Sequence, residues 1–194
     1  MFTEHDVRLL DMMTHAYHNF ILINDINQRI MTDGRANKKS PVTQFYFEWC
    51  DKRIPEDDHP LPVNPGTMWM LASVVILNCS PRWLKYLPNK RISQVAPEWG
   101  FKLARLSYPE DPDPKLRKVV RKIRNAIAHS RFTLHIEDIR VPWKVLINET
   151  TFTFKDRDDF EIEISVADLS KLSATIYLTM STLIVEHMRA RSSI

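Results

Sequence analysis

The residues best suited to chemistry lie in the segment RNAIAH: Arg124, Asn125 and His129. Histidine exchanges a proton near neutral pH, and arginine stays charged and matches a phosphate with its fork of donors. An asparagine amide both donates and accepts hydrogen bonds. Such a set suits a reaction in which a proton moves while negative charge builds on phosphoryl oxygens.

These three residues end the longest basic run of the chain. Between positions 115 and 131 there are seven cations and no carboxylate: Lys115, Arg117, Lys118, Arg121, Lys122, Arg124 and Arg131. No ion pair within this segment relieves the repulsion between like charges, so part of the run is interpreted as a surface that attracts a polyanion. The candidate phosphate contacts are Lys118, Arg121, Lys122 and Arg131. Spacing alone leaves open a solvated basic face, with the histidine favoured by the helix dipole.

A helix is predicted over about residues 114–130, with Asp113 as its cap and a proline in its first turn. At about 100° per residue, its apolar residues fall within an arc of roughly 120° that forms the core face. Asn125 and His129 lie one turn apart on the opposite side, whereas Arg124 lies about 140° from His129. A single copy of this helix therefore presents the arginine and the histidine in different directions.

Apolar periodicity and prolines predict the elements that precede this helix. Helices are predicted over residues 3–31, 42–54 and 67–79. Thr3 is the expected cap of the first helix, and the third is apolar on nearly all sides, which predicts a buried central helix. Prolines break residues 81–105 into short pieces and make residues 108–114 a linker.

After the basic helix the apolar pattern changes to a period of two. Short antiparallel strands are predicted over residues 132–136, 145–147, 152–154 and 160–164, and a last helix over residues 166–191. The expected fold class is mainly α, a helical bundle with a small antiparallel β-meander at about residues 131–165, inserted before the C-terminal helix. One domain is expected over residues 1–194.

Composition excludes several classes of protein. With only 3 Gly and neither GxGxxG nor GxxxxGK[ST], a glycine-rich phosphate loop is not predicted. The cysteines, Cys50 and Cys79, form no CxxC pair, which excludes a zinc ribbon and favours two core residues in a reducing compartment. The charged N-terminus leaves no room for a signal peptide, and the longest apolar run is about half of a bilayer span. A soluble, cytoplasmic protein without membrane contact is therefore expected.

The segment RNAIAH resembles the R-x4–6-H motif of HEPN domains, a name that stands for "higher eukaryotes and prokaryotes nucleotide-binding". The motif has the Asn that many members carry after the Arg. The context is similar to a bacterial HEPN subgroup, because RNAIAHSRF leads into a short meander containing FTFKDRD (residues 152–158) and then a long helix. The resemblance in architecture covers most of the chain.

The resemblance implies an enzyme, a metal-independent endoribonuclease that acts as a homodimer on RNA without a cofactor. His129 would exchange the proton, Arg124 would stabilise the phosphoryl charge, and Asn125 would orient His129 or hold a phosphate oxygen. The expected products are a 2′,3′-cyclic phosphate and a 5′-OH. Family members appose their motifs across a two-fold axis, which implies a composite site in the dimer cleft. The protein would act in phage defence, in stress response or in a toxin–antitoxin system. Its partner would be an antitoxin or a regulatory protein.

One departure from the family pattern and several alternatives accompany this interpretation. Some HEPN toxins carry a modifiable Tyr two residues after the His, where this chain has Arg131. A catalytically silent HEPN module that binds nucleotide or RNA, or scaffolds partners, is the main alternative, and a helical interaction protein with a basic face is another. Lesser candidates are a metal site at Asp11, His15 and His18 and base stacking by Trp83.

Overall fold

The computed structural model describes residues 2–33, 40–53, 64–136 and 149–192. Its helices are α1 (Glu4–Asp33), α2 (Pro41–Arg53), α3 (Pro65–Asn78), α4 (Ile92–Val95), α5 (Leu116–Ala128) and α6 (Val166–Ser192), with a 3₁₀ turn at Leu84–Tyr86. Its strands are β1 (Arg105–Ser107), β2 (Phe132–His135), β3 (Thr151–Asp156) and β4 (Phe160–Ser165). The strand predicted at residues 145–147 lies outside the described residues.

Helix α3 lies at the centre of the bundle, where it packs against α1, α5 and α6. It starts at a capping box in which the Asn64 side chain accepts from the Thr67 backbone and the Thr67 hydroxyl accepts from the Asn64 backbone. The prediction of a buried central helix is confirmed, although Met70 on its outer side is 67% exposed.

The strands form one antiparallel sheet in the order β1-β4-β3-β2. Strands β2, β3 and β4 are the predicted meander, with Phe132 opposite Phe154 and Phe154 opposite Ile162. Strand β1, which pairs with β4, was not predicted. Its three residues are too few to show a period of two. The predicted fold class, a mainly helical bundle with a small meander before the last helix, is confirmed.

Helix α5 packs one face between α3 and the sheet. The apolar arc predicted for this helix is buried throughout: Leu116, Val119, Val120, Ile123, Ala126 and Ile127. Trp69 of α3 stacks on Phe152 of β3 with ring centroids 4.5 Å apart, which joins the two elements that flank α5. The helix is therefore held on two sides, and its polar face alone remains available.

The start of α5 differs from the prediction. Lys115 is the N-cap and makes no side-chain capping bond. Asp113 instead accepts from the Ser93 backbone at 3.0 Å and from the Ser93 hydroxyl at 2.6 Å, in the first turn of α4. The prediction that Asp113 caps α5 is wrong because an antiparallel bridge between Arg91 and Lys115 brings α4 beside this segment.

The end of α5 is a Schellman arrangement. Ser130 has a φ of 53°, and its N–H donates to the Ile127 carbonyl at 3.1 Å. The Arg131 N–H donates to the Ala126 carbonyl at 2.7 Å. The left-handed residue turns the chain directly into β2, so that His129 lies at the last turn of the helix.

The N-terminus of α1 is tied to the segment after α3. Thr3 caps the helix as predicted, since its hydroxyl accepts from the Asp6 backbone at 3.3 Å. Asp6 is buried, accepts from the Trp83 indole N–H at 2.7 Å and faces Arg82 at 3.1 Å. Trp83 is fully buried, as a core residue would be, so its lesser candidate role of stacking on a base is wrong.

None of the helices that the structure describes is long and apolar enough to span a membrane.

Candidate functional site

An open polar pocket of about 530 Å³ lies between the polar face of α5 and the turn that joins β3 to β4. We call it the basic pocket, and its lining residues are Tyr108, Lys118, Arg121, Lys122, Asn125, His129, Arg131, Asp156, Arg157 and Asp158. Six of the seven residues singled out from the sequence line it, and the exception is Arg124. Five basic and two acidic side chains give the pocket an excess of positive charge.

Arg124 lies on the side of α5 that faces α3. Its Nε donates to the Leu77 carbonyl at 3.3 Å, near the end of α3. Its charge is also close enough to the buried Cys79 thiol to act on it. Within one chain, Arg124 and His129 therefore do not line the same pocket.

His129 is exposed at the C-cap of α5, with its backbone N–H bonded to the Asn125 carbonyl at 3.0 Å. Its imidazole makes no hydrogen bond or ion pair with another residue in the described part of the chain. The backbone of His129 is thus fixed, and its exposed imidazole is left available to a ligand.

Asp156, at the end of β3, lies at the floor of the pocket with its side chain only 5% exposed. Three groups surround the carboxylate. Asn125 Nδ2 donates to it at 3.4 Å, and Lys122 Nζ and Arg131 Nη1 each lie 3.5 Å away. This carboxylate fixes Asn125 on the pocket side of α5 and neutralises part of the basic run.

Lys122 is buried, with its side chain 7% exposed. Its Nζ donates to Asp158 Oδ2 and to the Arg157 carbonyl, both at 2.7 Å. The Lys122 hydrogen bond is also the main cause of the lowered pKa of Asp158. Lys122, expected from the sequence to contact phosphate, is therefore engaged with the β3–β4 turn in this structure.

The remaining cations of the pocket differ in their partners. Lys118 Nζ lies 4.3 Å above the Tyr108 ring and 3.5 Å from Asp111, and these two side chains raise the pKa of Lys118. Arg121 is exposed and forms no ion pair with any residue that the structure describes. Among the α5 cations that line the pocket, Lys118 and Lys122 are thus paired with carboxylates from other elements, whereas Arg121 is not.

Sequence reasoning missed four lining residues: Tyr108, Asp156, Arg157 and Asp158. The last three belong to the FTFKDRD segment, which supported the family resemblance but was not assigned to the site. Asp158 and Asp159 have φ values of 64° and 53°. Aspartates favour such left-handed turn positions, so the pattern indicated a turn, and only the fold shows that this turn lies over α5.

The lesser candidates have other roles. His15 Nε2 lies 3.7 Å from Asp11, but no three His, Cys, Asp or Glu side chains in the described ranges are grouped closely enough to hold a metal ion. Cys50 and Cys79 are buried and free, as expected for core residues. Burial raises the pKa of Cys79 to about 12, which makes it a poor nucleophile.

A family model described as HEPN pEK499 p136 matches residues 51–187, well over half of the chain. The chain belongs to this HEPN family. The match extends from α2 into α6 and includes the sheet, helix α5 and the whole basic pocket. The HEPN resemblance of RNAIAH and its surroundings is thereby confirmed. Among curated proteins and among solved structures, none matches the chain.

Proposed function

We propose that this HEPN protein is a metal-independent endoribonuclease whose active site is completed by a second copy of the chain. The observation that carries the proposal is the basic pocket, in which the accessible imidazole of His129 lies among cationic side chains. A pocket of this charge attracts a phosphodiester, and an accessible imidazole is the group needed to move its proton.

The reaction follows from the chemistry of RNA. A base, His129, takes the proton of the 2′-OH, and the 2′ oxygen attacks the adjacent phosphorus. The bond from phosphorus to the 5′ oxygen breaks, that oxygen takes up a proton from water, and the protonated His129 returns its proton to the solvent. Positive side chains stabilise the charge on the phosphoryl oxygens in the transition state. The products are a 2′,3′-cyclic phosphate and a 5′-OH.

The position of Arg124 supports a composite site. Its guanidinium faces the end of α3 and not the pocket of its own chain. A two-fold contact between copies presents the same surface of both and can bring Arg124 of one chain to His129 of the other. We propose a homodimer for this reason, and an antitoxin or regulatory partner in phage defence, stress response or a toxin–antitoxin system.

RNA cleavage in EDTA tests the proposal with wild type, Arg124→Ala and His129→Ala. Loss of the base is expected to lower kcat about 10²–10⁴-fold, and loss of the cation about 10²–10³-fold. Matched controls are His135→Ala on β2 and the exposed Arg105→Ala on β1, both outside the pocket; they should cut like wild type. Uncut RNA with wild type, or full activity in both site variants, would rule out the enzyme.

The ends of the products test the mechanism separately. RNA with a 2′-deoxy sugar at the scissile position should bind but remain whole, because the nucleophile is missing. Cut RNA should carry a 5′-OH and a 3′ end that requires opening of the cyclic phosphate before it can be ligated. Products with a 5′-phosphate would contradict attack by the 2′-OH.

A catalytically silent module that binds RNA is the second candidate. The observation that favours it is that Arg124 and His129 lie apart in a single chain. If this candidate is correct, wild type binds RNA and leaves it whole under all conditions. Variants that lack the pocket cations then bind RNA with lower affinity.

A further inference from the structure

We infer that the β3–β4 turn is the second wall of the RNA-binding cleft, in which Arg157 binds a phosphate and Lys122 positions the turn. This inference rests on the proposed binding of RNA by the basic pocket. It concerns a residue outside the RNAIAH motif and assigns Lys122 a different role from the other cations of α5.

Lys122 attaches the turn to α5. Its buried ammonium donates at 2.7 Å to the Arg157 carbonyl and to Asp158 Oδ2, and Asp156 lies at 3.5 Å. A buried ammonium with such partners is held in place, because its release would leave Asp158 without its cation and Asp156 with Arg131 alone. Lys122 therefore contributes to the pocket by fixing the backbone of the turn.

The turn itself has a defined shape. Asp156 pairs with Phe160 across the hairpin, so only three residues close the loop. Two of them, Asp158 and Asp159, have positive φ values of 64° and 53°. A short loop with two left-handed residues and an anchored carbonyl allows few conformations, which directs Arg157 consistently towards the pocket that it lines.

The charge of Arg157 is available to a ligand. The side chain is exposed, and its guanidinium donates no hydrogen bond to another residue within the described ranges. The neighbouring Asp158 carboxylate is already paired with Lys122. Arg157 on the turn and Arg121 on α5 are thus two exposed guanidiniums that line one pocket.

This arrangement fits single-stranded RNA. Phosphates follow one another along the strand, and cations on both walls can hold two of them on either side of the sugar that faces His129. Such contacts position the backbone and do not read the base sequence. Cleavage by the 2′-OH also requires a strand that can leave the helical stack, as single strands and loops do.

Salt titration of binding tests the role of Arg157. The probe is a single-stranded RNA with 2′-O-methyl sugars, which cannot be cut, and log Kd is measured against log salt concentration. Arg157→Gln should reduce the magnitude of the slope by about 0.7, the value for one phosphate contact on a single strand. Lys155→Gln on β3 is the matched control, since Lys155 is exposed, paired with Glu161 at 2.9 Å and outside the pocket; its slope should equal that of wild type.

The role of Lys122 is tested by a double variant. Lys122→Met should reduce the slope by about 0.7, because the turn no longer holds Arg157 in place, and the double variant with Arg157→Gln should show no further reduction. Additive reductions, to about 1.4 in total, would mean that Lys122 binds its own phosphate and would overturn its positioning role. Circular dichroism checks that each variant is folded. If Lys122→Met does not fold, the slopes of Arg157→Gln and Lys155→Gln are compared with each other. That comparison decides whether the turn is a wall of the cleft.

The outcomes separate this inference from the proposed function. A wild-type slope in Arg157→Gln, with normal binding by wild type, would overturn the inference and leave the ribonuclease proposal intact. Wild type that binds no RNA at low salt would overturn both.

Discussion

At the residue scale, two carboxylates, those of Asp156 and Asp158, hold the side chains of the basic pocket in place. Asp156 is 5% exposed and faces Asn125, Lys122 and Arg131. Asp158 holds the same lysine from the rim, where its side chain is 52% exposed. An isolated pair at the surface contributes little, whereas a buried carboxylate between cations is needed to compensate their charge.

Replacement of Asp156 should therefore reduce stability strongly. Asp156→Ala leaves the buried Lys122 with Asp158 as its one remaining carboxylate and removes the partner of the Asn125 side chain. The free energy of unfolding should fall by about 2–4 kcal/mol, measured by urea denaturation. Asp158→Ala is the comparison, and a smaller loss is expected because that side chain is half exposed. Equal stability of Asp156→Ala and wild type would show that the carboxylate does not stabilise the turn.

Helix α5 connects the core to the site at the element scale. Its apolar face was correctly predicted because the helical period is a local property of the sequence, and the apolar stripe that it forms is the face that a fold buries. The N-cap of α5 was not correctly predicted, because Asp113 has a partner on α4 that only the fold brings near. The same helix then ends at a left-handed Ser130, which sets the position of His129.

The stability that Asp6 contributes in the first turn of α1 should depend on pH. Burial opposes ionisation of Asp6, but hydrogen bonds from Thr3 and the Trp83 indole, together with Arg82, outweigh it and lower the pKa of Asp6. A lowered pKa adds stability that is present above the ordinary value of 3.8 and lost as the pH falls through the folded value. Asp6→Asn should be less stable than wild type at pH 7 by about 1–2 kcal/mol.

The difference between wild type and Asp6→Asn should shrink as the pH falls below about 4. Urea denaturation at a series of pH values measures it. Asp25→Asn, an exposed carboxylate on the same helix, is the control. A difference that stays constant from pH 7 to pH 3 would exclude the charge of Asp6 as the cause.

At the scale of the whole molecule, the question is how one chain with a divided motif makes a complete site. The HEPN fold is shown by the family match and by the helical architecture. A single domain over residues 1–194 stays a prediction, as do the homodimer and the cytoplasmic location. The placement of Arg124 outside the basic pocket makes the dimer the central prediction.

Mixing two inactive variants tests the composite site. Arg124→Ala and His129→Ala, combined after subunit exchange at equal concentrations, should form heterodimers in which one of the two sites has both residues intact. Random pairing predicts about a quarter of the wild-type activity, since half of the dimers carry one intact site of two. A site built within one chain predicts no recovery, because neither variant chain is intact. Light scattering at micromolar concentration should show the dimer directly.

The sequence by itself determined what depends on local spacing: the RNAIAH motif, the two faces of α5, the meander and, through these, the HEPN family. The periods of helices and strands depend on residues that are close in sequence, and they are the same in any fold that buries one face of the element. The tertiary structure alone decided which of the seven cations are available. Asp156 and Asp158 follow Lys122 by more than thirty residues, and only the packing of the sheet on α5 brings their charges to 2.7–3.5 Å from its ammonium.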